Sequence, residues 1–281
     1  MQPRIVFRTH YQIHEPAYMK YLILLCASPV QSNYREVIAE KLAREITARG
    51  KKLNIAAGGY AVDLAQDLEL ITHNNTWTEK GHLVNIISAV RNIDLEKDLE
   101  LTLPEKLLFF KVFCERDGAA LLFIARQLMK YKSVADSDAD WNYWAREMFI
   151  DVFTNYLSIT SDTADRVKLR REIDRISSRG YEGNTGSHKM FIHLQTLYRL
   201  GLVARPEAAG ARSTQLPEYS QGERIGLSIL LENVPDIISL EKMVGNHKWV
   251  EIAADIFDST AKTTGQSDSE LASPQKAETL I

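Results

Sequence analysis

The densest collection of side chains able to meet a polyanion lies between positions 166 and 212. The stretch Thr163–Arg179 carries Arg166, Lys168, Arg170, Arg171, Arg175 and Arg179 against Asp165, Glu172 and Asp174, a local excess of three positive charges. His188, Lys189, Gln195 and Arg199 follow, and Arg205 and Arg212 add two further cations. Guanidinium and ammonium groups in such a patch suit phosphate-like oxyanions. The plainer alternative is a solvated helix laced with ion pairs three and four residues apart, such as Arg171 with Asp174 and Asp174 with Arg170.

Chemistry that breaks bonds has no comparable candidate. His10 and His14 stand four apart beside Glu15, but no third metal ligand lies within sequence reach. His188 and His193, five apart, point in different directions on a helix, and a surface or satisfied core role is expected for the histidines generally. A nuclease centre needs clustered carboxylates and a lysine around magnesium. Asp236, Glu241 and Lys242 have the residue types without the spacing, and the acidic run 94–100 reads as a solvated helix or linker. The glycine-rich loop 183–186 precedes Ser187-His188-Lys189, the wrong order for a phosphate-binding nucleotide loop. No Gly-x-Ser-x-Gly or Cys-His arrangement offers a nucleophile. A non-catalytic protein without metal, cofactor or small-molecule substrate is therefore expected.

The composition agrees with a folded chain. Of 281 residues, 45% are hydrophobic and 25% charged, which matches globular usage and allows more than one module. The 34 basic and 37 acidic residues leave a net charge of −3, so attraction to a polyanion must come from local patches. Cys26 and Cys114 both sit in apolar stretches, as small buried thiols do. The apolar runs fall short of the roughly 20 residues that span a bilayer, and the first 15 residues lack the apolar core of a signal peptide. A cytoplasmic location without membrane contact is expected. From about 258 to 281 the chain is rich in Ser, Thr and Gln and reads as a disordered tail.

The elements that must position these groups are mainly helical. Tyr18, Tyr21, Leu22 and Leu25 recur at helical steps over 16–26. Asn33 suits an N-cap for a helix over 34–48, with Val37, Ile38, Leu42 and Ile46 as its apolar stripe and Gly50 closing it. A third helix is expected over 54–68, weakened at its start by Gly58-Gly59. Then comes an informative string: Leu70-Ile71 as a strand, a two-residue Asn74-Asn75 turn, Thr76-Trp77 returning, and Thr78 capping a helix with Leu83, Ile86, Ile87 and Val90. Pro104 opens a densely apolar helix, Asp117-Gly118 turns it, and a further helix starts near Trp141. Aromatics Trp141, Tyr143, Trp144, Phe149, Phe153 and Tyr156 follow helical spacing, so core packing is expected. A charged helix over Thr163–Arg179 leads to a helix over 188–200 that is expected to expose Gln195, Thr196 and Arg199.

Three helices followed by a small hairpin that opens into another helix resemble the winged-helix superfamily over 16–90. Leu68, Leu70, Ile71, Thr78, Lys80 and Gly81 carry the likeness. A weaker copy appears at 163–231. There Leu200-Gly201-Leu202-Val203 parallels Leu68-Glu69-Leu70-Ile71, and Tyr219-Ser220-Gln221-Gly222 parallels Trp77 to Gly81. The resemblance implies a mainly α fold of two winged-helix-like units with small β-wings linked by a helical bundle. The divisions are 1–100, 101–162 and 163–257, with the tail at 258–281.

In this superfamily the helix before the wing enters the major groove while flanking cations meet phosphates. That implies binding of duplex DNA, chiefly by the second unit through the cations named above and the helix bearing His188, Lys189, Gln195 and Arg199. In the first unit Arg35, Lys41, Arg44, Arg49, Lys51 and Lys52 are basic, but Asp63, Asp67 and Glu69 mark the helix before the wing. Acid there repels DNA and suits a protein partner or a second copy. The rival expectation is thus an adaptor that uses both units and the helical middle as docking surfaces.

Overall fold

The computed structural model describes residues 16–26, 35–88, 100–130, 141–179, 193–194, 196–203 and 225–270, and they are mainly helical. Helix α1 is Pro16–Cys26, α2 is Arg35–Ala48, α3 is Ile55–Asp67 and α4 is Glu79–Ile87. Helix α5 is Leu103–Lys130, α6 is Trp141–Ile159 and α7 is Thr163–Arg179. After helical stretches at 193–194 and 196–199 come α8 (Ile225–Asn233), α9 (Ile237–Gly245) and α10 (Trp249–Glu270). Among the described residues no helix is long and apolar enough to cross a membrane.

Helix α5 is the centre. It is buried nearly all round through Phe109, Phe110, Phe113, Leu121 and Ile124, and α4, α6, α8, α9 and α10 all pack on it. The apolar density that follows Pro104 requires this: a helix hydrophobic on every side has no face to give to water. Buried side chains from Tyr18 on α1 to Phe257 on α10 form one continuous cluster. The expected turn at Asp117-Gly118 is a kink, with Asp117 at φ −142° and ψ 23° inside an otherwise continuous helix. Gly118 admits Leu240 of α9 there, whose Cδ2 lies 2.1 Å from where a Cβ would stand.

Helices α2 and α3 cross closely because of the glycine pair that weakens α3 in isolation. A Cβ on Gly58 would lie 2.4 Å from the Ala39 carbonyl oxygen, so only glycine lets the backbones approach this far. Arg35 then clamps the crossing, donating from Nε and Nη2 to the two oxygens of Asp63 at 2.8 Å each. Asn54 caps α3 by accepting from the Ala57 N–H at 2.7 Å, at the expected boundary. The expected cap at Asn33 lies outside the described residues, as does Val90.

Three helices end in the same motif. At α2, Gly50 (φ 93°) donates to Thr47 O and Lys51 to Ile46 O. At α3, Glu69 (φ 57°) donates to Gln66 O and Leu70 to Ala65 O. At the helical stretch 196–199, Gly201 (φ 75°) donates to Tyr198 O and Leu202 to Leu197 O. These are Schellman caps, which retire the last carbonyls of a helix and turn the chain back over it. After the second and third, the next apolar pair goes straight into the core: Leu70 and Ile71, and Leu202 and Val203, are all 2% exposed or less.

The hairpin after α3 is smaller than expected. Among the described residues the β structure is one antiparallel bridge, Ile71 with Trp77. Its loop has three residues and not two: Thr72 N donates to Thr76 O at 2.8 Å and Asn75 N to Thr72 O at 2.9 Å. Asn75, at φ 56°, takes the left-handed position that such loops need, and Asn tolerates it. Trp77 fixes the hairpin to α1 by donating from its indole to Ile23 O at 2.7 Å.

Thr78 caps α4 as expected, accepting from Gly81 N at 3.1 Å. Of the stripe expected on α4, Ile87 is half-buried against the core, but Leu83 and Ile86 are not. Val84 and Gly81 face the core, while Leu83 is 44% and Ile86 74% exposed. A nine-residue helix seated on α1 and α5 by its glycine face has no turns left to cover the other side.

At the far end, Ala253, Ile256 and Phe257 anchor α10 in the core and the helix runs on to Glu270. The backbone at 258–270 is thus helical where composition points to a tail, because extending an anchored helix is far cheaper than nucleating one. Positions 271–281 lie outside the described residues.

Candidate nucleic-acid interface

Asp162 starts α7 by accepting from the Asp165 N–H at 2.9 Å, and Leu169 and Ile176, two turns apart, seat it on α6. Each of these helices then caps the other. Arg166 of α7 donates to Leu157 O at 2.7 Å and to Thr160 O at 2.9 Å at the end of α6, and Arg146 of α6 donates to Ser177 O at 3.1 Å near the end of α7. Cations here complement the negative ends of the helix dipoles. Arg166, expected to meet phosphate, is therefore turned inward and holds the hairpin together.

The remaining cations of α7 face out. Lys168, Arg171 and Arg175 follow one another at steps of three and four, so they share a line about 10 Å long. Lys168 is 69% exposed and 3.3 Å from Asp165, while Arg175 is 50% exposed and 2.8 Å from Glu172. Ion pairs do lace this helix, but the pairs expected between Asp174 and Arg170 or Arg171 are not among them. Arg170 and Arg171 are exposed and make no ion pair among the described residues. Arg179 ends α7, but its side chain lies outside the described residues, as do His188, Lys189, Gln195, Arg205 and Arg212.

The helical stretch after the glycine-rich loop turns mostly inward. His193, Leu194, Thr196, Leu197 and Leu200 are all 4% exposed or less. Thr196, expected on the surface, is fully buried at the edge of an inward arc of about 160° that it forms with His193, Leu194, Leu197 and Leu200. Arg199 is half-buried, its guanidinium carbon 5.0 Å from the Tyr198 ring centroid.

His193 was not expected to organise anything, yet its Nε2 lies 2.6 Å from Asp117 Oδ2, both side chains being 2% exposed or less. The pair is made at the kink in α5, where Asp117 leaves helical φ/ψ. Tyr156 of α6 sits close enough to feel the charge, its phenol pushed up to about 12 by burial first and by the Asp117 and Glu241 carboxylates next. A second buried pair, Lys20 with Glu105 at 2.9 Å, ties α1 to the first turn of α5, where Glu105 also accepts from Thr102 N–H at 2.7 Å. Burial pushes the Cys26 thiol up to about 12 and that of Cys114 further, so neither is poised to react.

The first unit offers polyanions less. Arg35 is held by Asp63, Arg44 by Glu40, and Arg49 by Glu45. Glu69 is off the end of α3, paired with Lys80 and with Arg116 of α5. Helix α3 fully exposes only Ile55 and Ala56 at its start, and its partly exposed face, Tyr60, Asp63, Gln66 and Asp67, carries two acids and no cation. Among the described residues no group of three or more His, Cys, Asp or Glu is placed to hold a metal ion. No protein-family model matches the chain, and neither a curated protein nor a solved structure matches it significantly.

Proposed function

We propose that the chain binds duplex DNA without catalysis, using the outer face of α7 in a second winged-helix-like unit at 163–231. The observation that carries this reading is the exposed line Lys168, Arg171 and Arg175, flanked by Arg170, with Arg170 and Arg171 in no ion pair among the described residues, on a helix whose other face is fixed to α6. The repeated order of helix, Schellman cap and buried apolar pair in both halves supports the unit itself. Fluorescence anisotropy of the full chain with labelled duplex tests it. The double substitution Arg170→Glu and Arg171→Glu is expected to weaken binding at least about tenfold at low salt, since each reversal removes one phosphate contact and adds a repulsion. Unchanged affinity in a folded double variant would end the proposal.

A second reading rests on a different observation. Leu83 and Ile86 stand out from α4 in the first unit, where the partly exposed face of α3 is acidic. On this reading the first unit docks onto a protein of a larger assembly, consistent with an adaptor. Leu83→Ser with Ile86→Ser is expected to leave thermal stability within about 0.5 kcal/mol, because exposed positions contribute little to the fold. It would release a partner that co-purifies with the unaltered chain; retention of that partner counts against the reading.

A further inference from the structure

We infer that the α7 face holds nucleic acid by its phosphate backbone without reading bases, and that Glu172 competes with phosphate for Arg175. The inference rests on the DNA-binding proposal and says what kind of contact is made. Base reading needs side chains that reach a groove edge with free donors and acceptors. The described part of the helix before the second loop offers few. Thr196 and His193 are fully buried, and His193 is committed to Asp117 at 2.6 Å. Helix α7 has no Asn or Gln, and its Ser178 hydroxyl donates to Asp174 O at 2.8 Å. What it turns outward is a regularly spaced row of cations, Lys168, Arg171 and Arg175 with Arg170 beside them, interrupted by the exposed Asp174 and the partly exposed Glu172; a row of this kind can follow phosphates whatever the sequence.

The same helix carries its own competitor. The Glu172 carboxylate accepts from Arg175 Nε at 2.9 Å, a charge-assisted hydrogen bond of the kind a phosphate oxygen would form. Every phosphate that engages Arg175 must displace it. Arg171 has no such rival. The two arginines therefore respond differently to neutralising one acid, which a general change in net charge would not produce.

The test uses the full chain and duplexes of unrelated sequence over a salt titration. With about three phosphate contacts, log affinity should fall against log salt with a slope of about −3, the same for every duplex. Arg171→Gln should weaken binding and make the slope shallower by about 0.9. Glu172→Gln should tighten binding about threefold or more. Combined with Arg175→Gln, it should tighten binding far less, because its effect passes through that arginine. A tenfold preference for one duplex would overturn the backbone inference while leaving DNA binding intact. An equal gain from Glu172→Gln with and without Arg175 would overturn the competition. Absence of binding to any duplex would overturn both this inference and the reading beneath it. Salt-sensitive binding to phosphatidylserine vesicles in place of duplexes would instead assign the row to a membrane surface.

Discussion

Asp117→Ala is expected to destabilise the protein by about 1–3 kcal/mol, the cost of leaving a buried polar partner without its hydrogen bond. Asp117 and His193 are 2% and 0% exposed, so no water stands ready to replace the lost oxygen. The substitution does three things together. It leaves His193 Nε2 without this acceptor, it frees α5 to straighten at a residue now holding φ −142° for no return, and it loosens the segment 193–203 from the central helix. Asp117→Asn separates charge from shape, because the amide oxygen can still accept from Nε2, and it should cost less than half as much. Urea unfolding followed by far-UV circular dichroism measures both. A loss under about 1 kcal/mol for the alanine variant would mean that the pair is not closed from solvent. Should the alanine variant fail to fold, the asparagine variant still gives the ranking.

The elements that could be read from the residues are those where a periodic stripe and a cap agree. Helices α1 and α7 have the expected limits, Thr78 caps the helix it was expected to cap, and Asn54, expected only as the start of α3, caps it. Local rules suffice there because the interactions are made within a few residues. What could not be read depends on contacts distant in sequence. Thr196 and Arg166 look like surface residues by type. Thr196 is nevertheless fully buried, and Arg166 is anchored on the end of α6. Leu83 and Ile86 show the opposite failure: their spacing is right for a core, but α4 spends its inward face on Gly81 and Val84.

The charge pairs on α7 show a third limit. Spacings of three and four allow Arg171 to meet Asp174 or Arg175 to meet Glu172, and sequence gives no means of choosing. The structure chooses the latter. Arg171 and Asp174, whose spacing equally allows a pair, do not form one, and Arg171 faces outward with no ion pair among the described residues. The candidate site is consequently narrower than the cluster of twelve positions from which it began, and its named members lie on one helix.

Gly81→Ala and Gly226→Ala are expected to cost about 3 kcal/mol each, at the upper end of what forced overpacking does in a closed site. A Cβ on Gly81 would stand 2.2 Å from the Leu70 carbonyl oxygen, which already accepts from Thr78 N at 3.1 Å and Thr78 Oγ1 at 2.9 Å. Backbone cannot give way there without dismantling the cap of α4. A Cβ on Gly226 would stand 2.6 Å from the Leu202 carbonyl oxygen. Leu70 and Leu202 hold the same place after their Schellman caps, so one backbone contact recurs in the two halves. This places Gly226, four residues beyond the expected Gly222, as the counterpart of Gly81. Gly245 is the control: nothing lies within 4 Å of its Cβ position, and alanine there should be neutral or stabilise by up to about 1 kcal/mol. Thermal and urea unfolding of the three variants decide the matter. Comparable losses at Gly81 and Gly226, with none at Gly245, are what a duplicated unit requires. Tolerance of alanine at Gly226 alone would break the equivalence of the two halves, and with it the structural support for a second winged-helix-like unit carrying α7.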